Sequence, residues 1–185
     1  TGPEEPSKGR FYNCPAGWQC EIVNSKKLVA YGLTDSYTNF RPGTGAALAA
    51  AVNSAYLRNK PVLFYYWAPT ALMGQHDFER LEEPAFNREI WDAMMASDTP
   101  DAATAYPVSK VIIGANKTFS ESAPNLTAFL TAYTTTSDLT SKALADMEAN
   151  GGDADVAARN FLKAHENVWT KWVPASVAEK VKAAL

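Results

Sequence analysis

Apolar positions in the first half of the chain alternate between short runs and helically spaced stretches. A short apolar piece, Arg10 to Asn13, leads into Cys14-Pro15-Ala16-Gly17-Trp18-Gln19-Cys20. From Trp18, the apolar positions Ile22, Val23, Leu28 and Val29 predict a helix running to Tyr31, with Gly32 in place to stop it. Tyr37 to Phe40 is strand-like, and Arg41-Pro42-Gly43-Thr44-Gly45 follows it. Thr44 is placed to cap a helix whose inward face is Leu48, Val52, Ala55 and Tyr56, ended by Pro61. Val62 to Trp67 is an unbroken apolar and aromatic run, which suits a strand of a parallel sheet covered on both faces. Two βαβ units in succession predict an α/β lobe, with its ligand edge in the loops at the carboxyl ends of the strands.

The second half has a different texture. A polar, Pro-containing stretch, Ser97 to Pro107, precedes Val111 to Ile113, which reads as one more strand. Helices follow: one from Pro124 to about Tyr133, one from Asp138 to Asn150 ending at Gly151-Gly152, one from Ala154 to His165 capped by Asp153, and one after Pro174. One strand and four helices do not make a balanced α/β lobe, so part of that lobe is expected to lie elsewhere.

Composition narrows the classes. The 185 residues carry a net charge of −3, against the basic surface that phosphate neutralisation demands, so nucleic acid is not an expected partner. At 46% apolar and 11% aromatic, the chain has material for a real core. Its longest apolar stretch, Pro61 to Pro69, is too short to span a bilayer. Thr1 to Gly9 is polar and contains Pro3 and Pro6, so it reads as a loop or linker with no signal peptide, and the chain is expected to be mature or cut.

Signals for catalysis are missing. There is no Gly-x-Ser-x-Gly elbow, no Walker loop and no Gly-x-Gly-x-x-Gly after a strand. His76-Asp77 are sequence neighbours in a predicted solvated turn, and Glu82-Glu83 before Pro84 reads as an exposed loop. No metal site is expected: the Cys14-x5-Cys20 gap is too wide for a zinc knuckle, and His76 and His165 lie away from finger spacing. On spacing alone the two cysteines are either free thiols or a small disulfide loop, the latter adding about 2 kcal/mol.

Binding signals are present. Trp18 falls at the first turn of its helix, where the N–H groups of Trp18, Gln19 and Cys20 are expected to lack helical partners. Such a terminus carries partial positive charge and favours a carboxylate. Trp67 ends its strand on the same carboxyl edge, and Tyr65 shares its side by the period of two. Two indole faces beside a helix N-terminus would suit a zwitterion whose quaternary ammonium stacks on the rings. The competing reading makes Trp18 and Trp67 plain core residues.

The segment Cys14-Pro15-Ala16-Gly17-Trp18-Gln19-Cys20-Glu21 closely resembles the C-P-x-G-W-x-C-E segment of glycine betaine/proline betaine-binding proteins, receptors of osmoprotectant ABC transporters. The resemblance continues through Tyr31-Gly32-Leu33, Pro42 to Leu48, Tyr65 to Thr70 and Asp77 to Pro84, then Ala115-Asn116-Lys117 and Trp169 to Pro174. It implies a bridged Cys14–Cys20 pair, with Trp18 and Trp67 as walls of an aromatic cage. It further implies that the amides of Gln19 and Cys20 hold a ligand carboxylate, with Gly17 allowing close approach. Tyr65 is a further candidate contact.

The fold implied is of the periplasmic-binding-protein type (type II), α/β, closing on its ligand at a hinge. Residues 1–107 would be the complete second lobe and 108–185 the returning, mostly helical segment of the first. Family members carry an earlier segment that builds most of the first lobe and supplies another cage aromatic, so this N-terminal portion is expected to be absent. An incomplete lobe is expected to associate with another chain or rearrange. The implied ligands are glycine betaine, proline betaine, choline or carnitine. No cofactor is implied, the implied partner is a transmembrane permease, and the implied location is periplasmic or extracytoplasmic, including a membrane-anchored lipoprotein. Two other classes compete. A sensory or interaction domain of the same fold, cut from a larger membrane protein, would be betrayed by the parent gene. A small hydrolase using His76 would have to turn over an ester or amide.

Overall fold

A computed structural model describes residues 2–185, and its Cα positions group into two compact units. One comprises the chain up to Trp67 together with Phe78–Val108; the other comprises Ala68–Asp77 together with Ser109–Leu185. In chain order the elements are β1 (Gly9–Tyr12), α1 (Gln19–Ala30), β2 (Tyr37–Phe40), α2 (Gly45–Leu57) and β3 (Leu63–Phe64). They continue with α3 (Ala71–Gln75), α4 (Arg88–Ala96), α5 (Lys117–Ser122), α6 (Pro124–Ala132), α7 (Ser137–Ala149), α8 (Ala154–Ala164), α9 (Glu166–Trp169) and α10 (Ala175–Ala184).

The first unit is an α/β sandwich on a small parallel sheet, ordered β2-β1-β3. Gly9 to Tyr12 pairs in register with Tyr37 to Phe40, and Phe11-Tyr12 pairs with Leu63-Phe64. A parallel pair needs a crossover, and α1 and α2 supply the two. The Thr44 hydroxyl accepts from the Ala47 N–H at 3.0 Å, the cap expected for α2. Of the face expected to turn inward, Leu48 and Val52 are fully buried, while Ala55 is half-buried and Tyr56 is exposed. Val23 of α1, Met94 of α4 and Ala103 form a buried cluster, flanked by Tyr31, Trp91 and Tyr106.

Two expected strands differ. The run Val62 to Trp67 enters the ladder only at Leu63-Phe64, and both residues are half-buried rather than covered on two sides. Its aromatics also pack ring on ring: Phe64 lies against Phe78 at 4.9 Å and Tyr65 against Tyr106 at 5.2 Å. Val111 to Ile113 forms no strand, since its β-branched residues have no ladder partner, and Val111 and Ile112 are 91% and 81% exposed.

The second unit is helical. Trp169, Trp172 and Ala178 form its buried centre, with Phe129, Phe161 and Leu162 against it. Here α3 packs on α7 so closely that a Cβ on Gly74 would collide with the Ser141 backbone. The Thr70 N–H donates to the Ser141 hydroxyl at 3.2 Å, and Gln75 donates to Glu148 at 2.8 Å. Nothing in the hydrophobic pattern signals that 68–77 packs with the C-terminal helices.

Candidate ligand site at the carboxyl edge of the sheet

The loops that follow the three strands gather the candidate residues, as the α/β rule for ligand edges requires. After β1 the chain passes through Cys14 to Trp18 into α1, after β2 it reaches Arg41, and after β3 it reaches Trp67. Cys14 and Cys20 are disulfide-bonded, with Cα atoms 5.9 Å apart, so the choice between free thiols and a bridge falls to the bridge. Gly17 lies inside that loop at φ +88°, a left-handed conformation in which any side chain would be strained.

Trp18 is the N-cap of α1, with extended backbone angles. Its N–H donates to the Pro15 carbonyl at 3.3 Å, a bond that closes the turn. The expected set of unpartnered amides therefore loses Trp18. Gln19 and Cys20 are the first residues of the helix, where an N–H has no intrahelical acceptor. The Glu21 N–H donates to the Trp18 carbonyl at 3.0 Å.

Trp18 is 42% exposed and Trp67 is 38% exposed, so neither indole is a core residue. Their ring centroids lie 5.8 Å apart with planes inclined by 55°, a wedge of two tilted indoles. Tyr66 stacks on Trp67 at 4.5 Å and 15°. The Trp18 ring lies over Gly45 at the start of α2, where an added Cβ would come within 3.3 Å of the indole. Tyr65 is placed elsewhere: its ring meets Tyr106 at 5.2 Å, and burial pushes its hydroxyl above the ordinary tyrosine range.

Beneath the edge lies a polar network that the hydrophobic pattern does not reveal. The fully buried Asn13 accepts from the Cys14 N–H at 2.7 Å and from Asn24 at 2.9 Å. Its amide nitrogen donates to the Glu21 carbonyl at 3.1 Å and to Asn39 at 3.0 Å. Asn39 donates to the Ser25 hydroxyl at 2.8 Å, and the Tyr106 hydroxyl donates to Asn24 at 2.8 Å. One side chain thus ties the disulfide loop to the first turn of α1 and to β2. A buried polar group so fully satisfied fixes geometry, because leaving any of these atoms unpaired is costly.

Charges are paired around it. Arg41 donates to Glu21 at 2.5 Å, and Ser25 donates to the same carboxylate at 3.0 Å. Burial works against the charged form of Glu21, but Arg41 and Ser25 outweigh it and hold the carboxyl below the ordinary value. The buried Lys27 donates to Glu83 at 2.6 Å and lies over the Tyr106 ring at 4.3 Å. Burial lowers the Lys27 pKa, against the opposing pull of Glu83. Glu83 is therefore paired, although its loop is exposed as expected. The signal for Glu21, Asn39 and Arg41 was only their position beside strand ends and helix starts.

Among the described residues, no group of three or more His, Cys, Asp or Glu side chains comes together as a metal site. No helix among them is long and apolar enough to cross a membrane.

Comparison with known proteins gives this geometry a context. The chain is 30% identical over 179 residues to the glycine betaine/proline betaine-binding periplasmic protein of Escherichia coli (strain K12), covering 92% of this chain and 54% of that protein. Over the same share of each it is 26% identical to the glycine betaine-binding periplasmic protein OusX of Dickeya dadantii (strain 3937). The chain thus spans about half the length of these curated relatives. In fold it is similar to lactococcal OpuAC, solved closed and liganded with glycine betaine, at a TM-score of 0.52 and 17% identity, over 89% of this chain and 57% of that one. The profile of the OpuAC family, described as the substrate binding domain of ABC-type glycine betaine transport systems, matches residues 2–164, and the chain belongs to that family.

Proposed function

We propose that this chain carries the ligand-binding edge of an extracytoplasmic ABC-transporter receptor for a quaternary ammonium osmolyte, glycine betaine before proline betaine, choline or carnitine. The family is one of solute-binding domains and not of enzymes, so the function needs recognition and release without chemical turnover. The observation that carries the reading is the half-exposed indole wedge of Trp18 and Trp67 at the N-terminus of α1.

Methyl groups around a quaternary nitrogen spread its charge over a bulky, weakly hydrated surface, which a π face recognises better than a carboxylate does. In this reading Trp18 and Trp67 are two cage walls, each desolvated contact contributing about 2 kcal/mol. The amides of Gln19 and Cys20 hold the carboxylate end, helped by the partial positive charge of the terminus. Gly17 lets the loop turn without a side chain in the way, and the disulfide keeps the turn from opening. Tyr65 packs on Tyr106 and is a further candidate contact.

For the fold, the proposal is a receptor of the periplasmic-binding-protein type. Residues 1–107, apart from the excursion 68–77, form one complete lobe, and 108–185 is a returning segment of the other. The exposed apolar run at Val108, Val111 and Ile112 supports this, since such surface is expected to be covered in a finished lobe. The partner is then the transmembrane permease, and the location periplasmic or extracytoplasmic, as the names of the relatives have it for themselves. Calorimetric titration of the chain with glycine betaine tests the reading: saturable binding that Trp18→Ala and Trp67→Ala each weaken roughly thirtyfold supports it, and affinity that both variants retain overturns it.

A further inference from the structure

The first turn of α1 holds a negative charge where the proposed ligand carboxylate must approach. Glu21 lies in that turn, directly after Cys20 in the chain. A bare carboxylate there would offset the roughly half positive charge of the helix terminus and repel a second carboxylate. It would also attract a plain cation.

Glu21 is not bare. Arg41 Nε donates to its Oε1 at 2.5 Å, and the Ser25 hydroxyl donates to the same oxygen at 3.0 Å. Arg41 directly follows β2, whose last residue Phe40 pairs with Tyr12, so its backbone is anchored at the ligand edge. The pair is asymmetric: the Glu21 side chain is 13% exposed and the Arg41 side chain 43%. The carboxylate is thus the more buried partner and the Arg41 side chain the more exposed one, with its Nη2 also donating to the Ser25 hydroxyl at 3.4 Å. A guanidinium also has donors to spare after one carboxylate bond.

We propose that Arg41 is a specificity-determining residue of this edge: by neutralising Glu21 it keeps the α1 terminus receptive to a ligand carboxylate, selecting zwitterionic quaternary ammonium compounds over simple cations. This rests on the reading of the Trp18–Trp67 wedge given above. Charge balance, rather than a unique contact, is the mechanism, and that distinguishes it from a purely structural role.

The test is calorimetric titration of the full chain with glycine betaine and with choline, on wild type, Arg41→Gln and the double variant Glu21→Gln/Arg41→Gln. Arg41→Gln is expected to weaken glycine betaine binding roughly tenfold while choline binding is unchanged or tighter. The double variant, with neither charge, is expected to recover glycine betaine affinity to near the wild-type value. Unchanged glycine betaine affinity in Arg41→Gln, equal loss of both ligands, or failure of the double variant to recover overturns the inference while leaving the wedge in place. A wild-type chain that takes up neither compound overturns the reading beneath it, and the inference with it.

Discussion

The indole of Trp18 and the indole of Trp67 meet at 5.8 Å with their planes inclined by 55°. One belongs to the loop after β1 and the other follows β3, so the contact exists only because those strands are parallel neighbours. Both rings are part-exposed, which removes them from the core.

Trp18→Ala and Trp67→Ala are therefore expected to act on binding and not on folding. Each loses a cation–π face, about 2 kcal/mol, or roughly thirtyfold in affinity for glycine betaine. The far-ultraviolet dichroism and the denaturation midpoint are expected to stay close to wild type. A collapse of the fold in either variant would return the indoles to the core.

Replacing Cys14 and Cys20 by serine opens the loop that carries Gly17 and Trp18. The chain-entropy cost of losing so short a loop is about 2 kcal/mol, seen as a lower midpoint in urea. Glycine betaine affinity is expected to fall as well, because the amides of Gln19 and Cys20 are no longer held in one arrangement. Reduction of the wild-type chain by dithiothreitol should reproduce both effects.

How far was this readable beforehand? The capped helix at Thr44 and the strand Tyr37 to Phe40 came from local chemistry, and both are observed at those positions. The bounds of α1 followed from Gly32 and the helical spacing after Trp18. What failed was burial judged from composition. Val111 to Ile113 looks like a strand because its residues are β-branched, yet a strand is a relation between two segments. The expected elements do not include α4, although Asn87 caps it, its side chain accepting from the Ile90 N–H at 3.1 Å, and Ile90 and Met94 stand one turn apart. The candidate walls Trp18 and Trp67 are nameable from a helix start and a strand end, with the family motif weighing against the core reading, whereas Asn13, Glu21 and Arg41 form a network across loops that no periodicity encodes.

Lys27 and Glu83 give a test of packing away from the wedge. The Lys27 side chain is 8% exposed and Glu83 is 30% exposed, with 2.6 Å between them. Glu83→Ala strands the buried ammonium against Tyr106 and is expected to cost about 1–3 kcal/mol. Lys27→Met removes the charge together with its desolvation cost and is expected to be milder. Chemical denaturation of the two variants compares them directly.

Acid should expose the Glu21 pairing. Burial disfavours its charge, but Arg41 and Ser25 hold its folded-state pKa below the ordinary 4.5, so the unfolded chain takes up this proton first as pH falls. The stability Glu21 contributes is complete above 4.5 and is lost as pH drops through the lower folded value. Wild type is expected to lose denaturant resistance across that window, and Glu21→Gln to lose less. Parallel acid limbs for the two proteins would contradict the pairing.

The most direct measurement is titration of the chain with glycine betaine by calorimetry, with Trp18→Ala and Trp67→Ala run beside the wild type. Saturable one-to-one binding by the wild type, weakened roughly thirtyfold in each variant at unchanged fold, is the result predicted. Absence of saturable heat in the wild type, or heat that both variants reproduce, would contradict the assignment of the indole wedge as the ligand site.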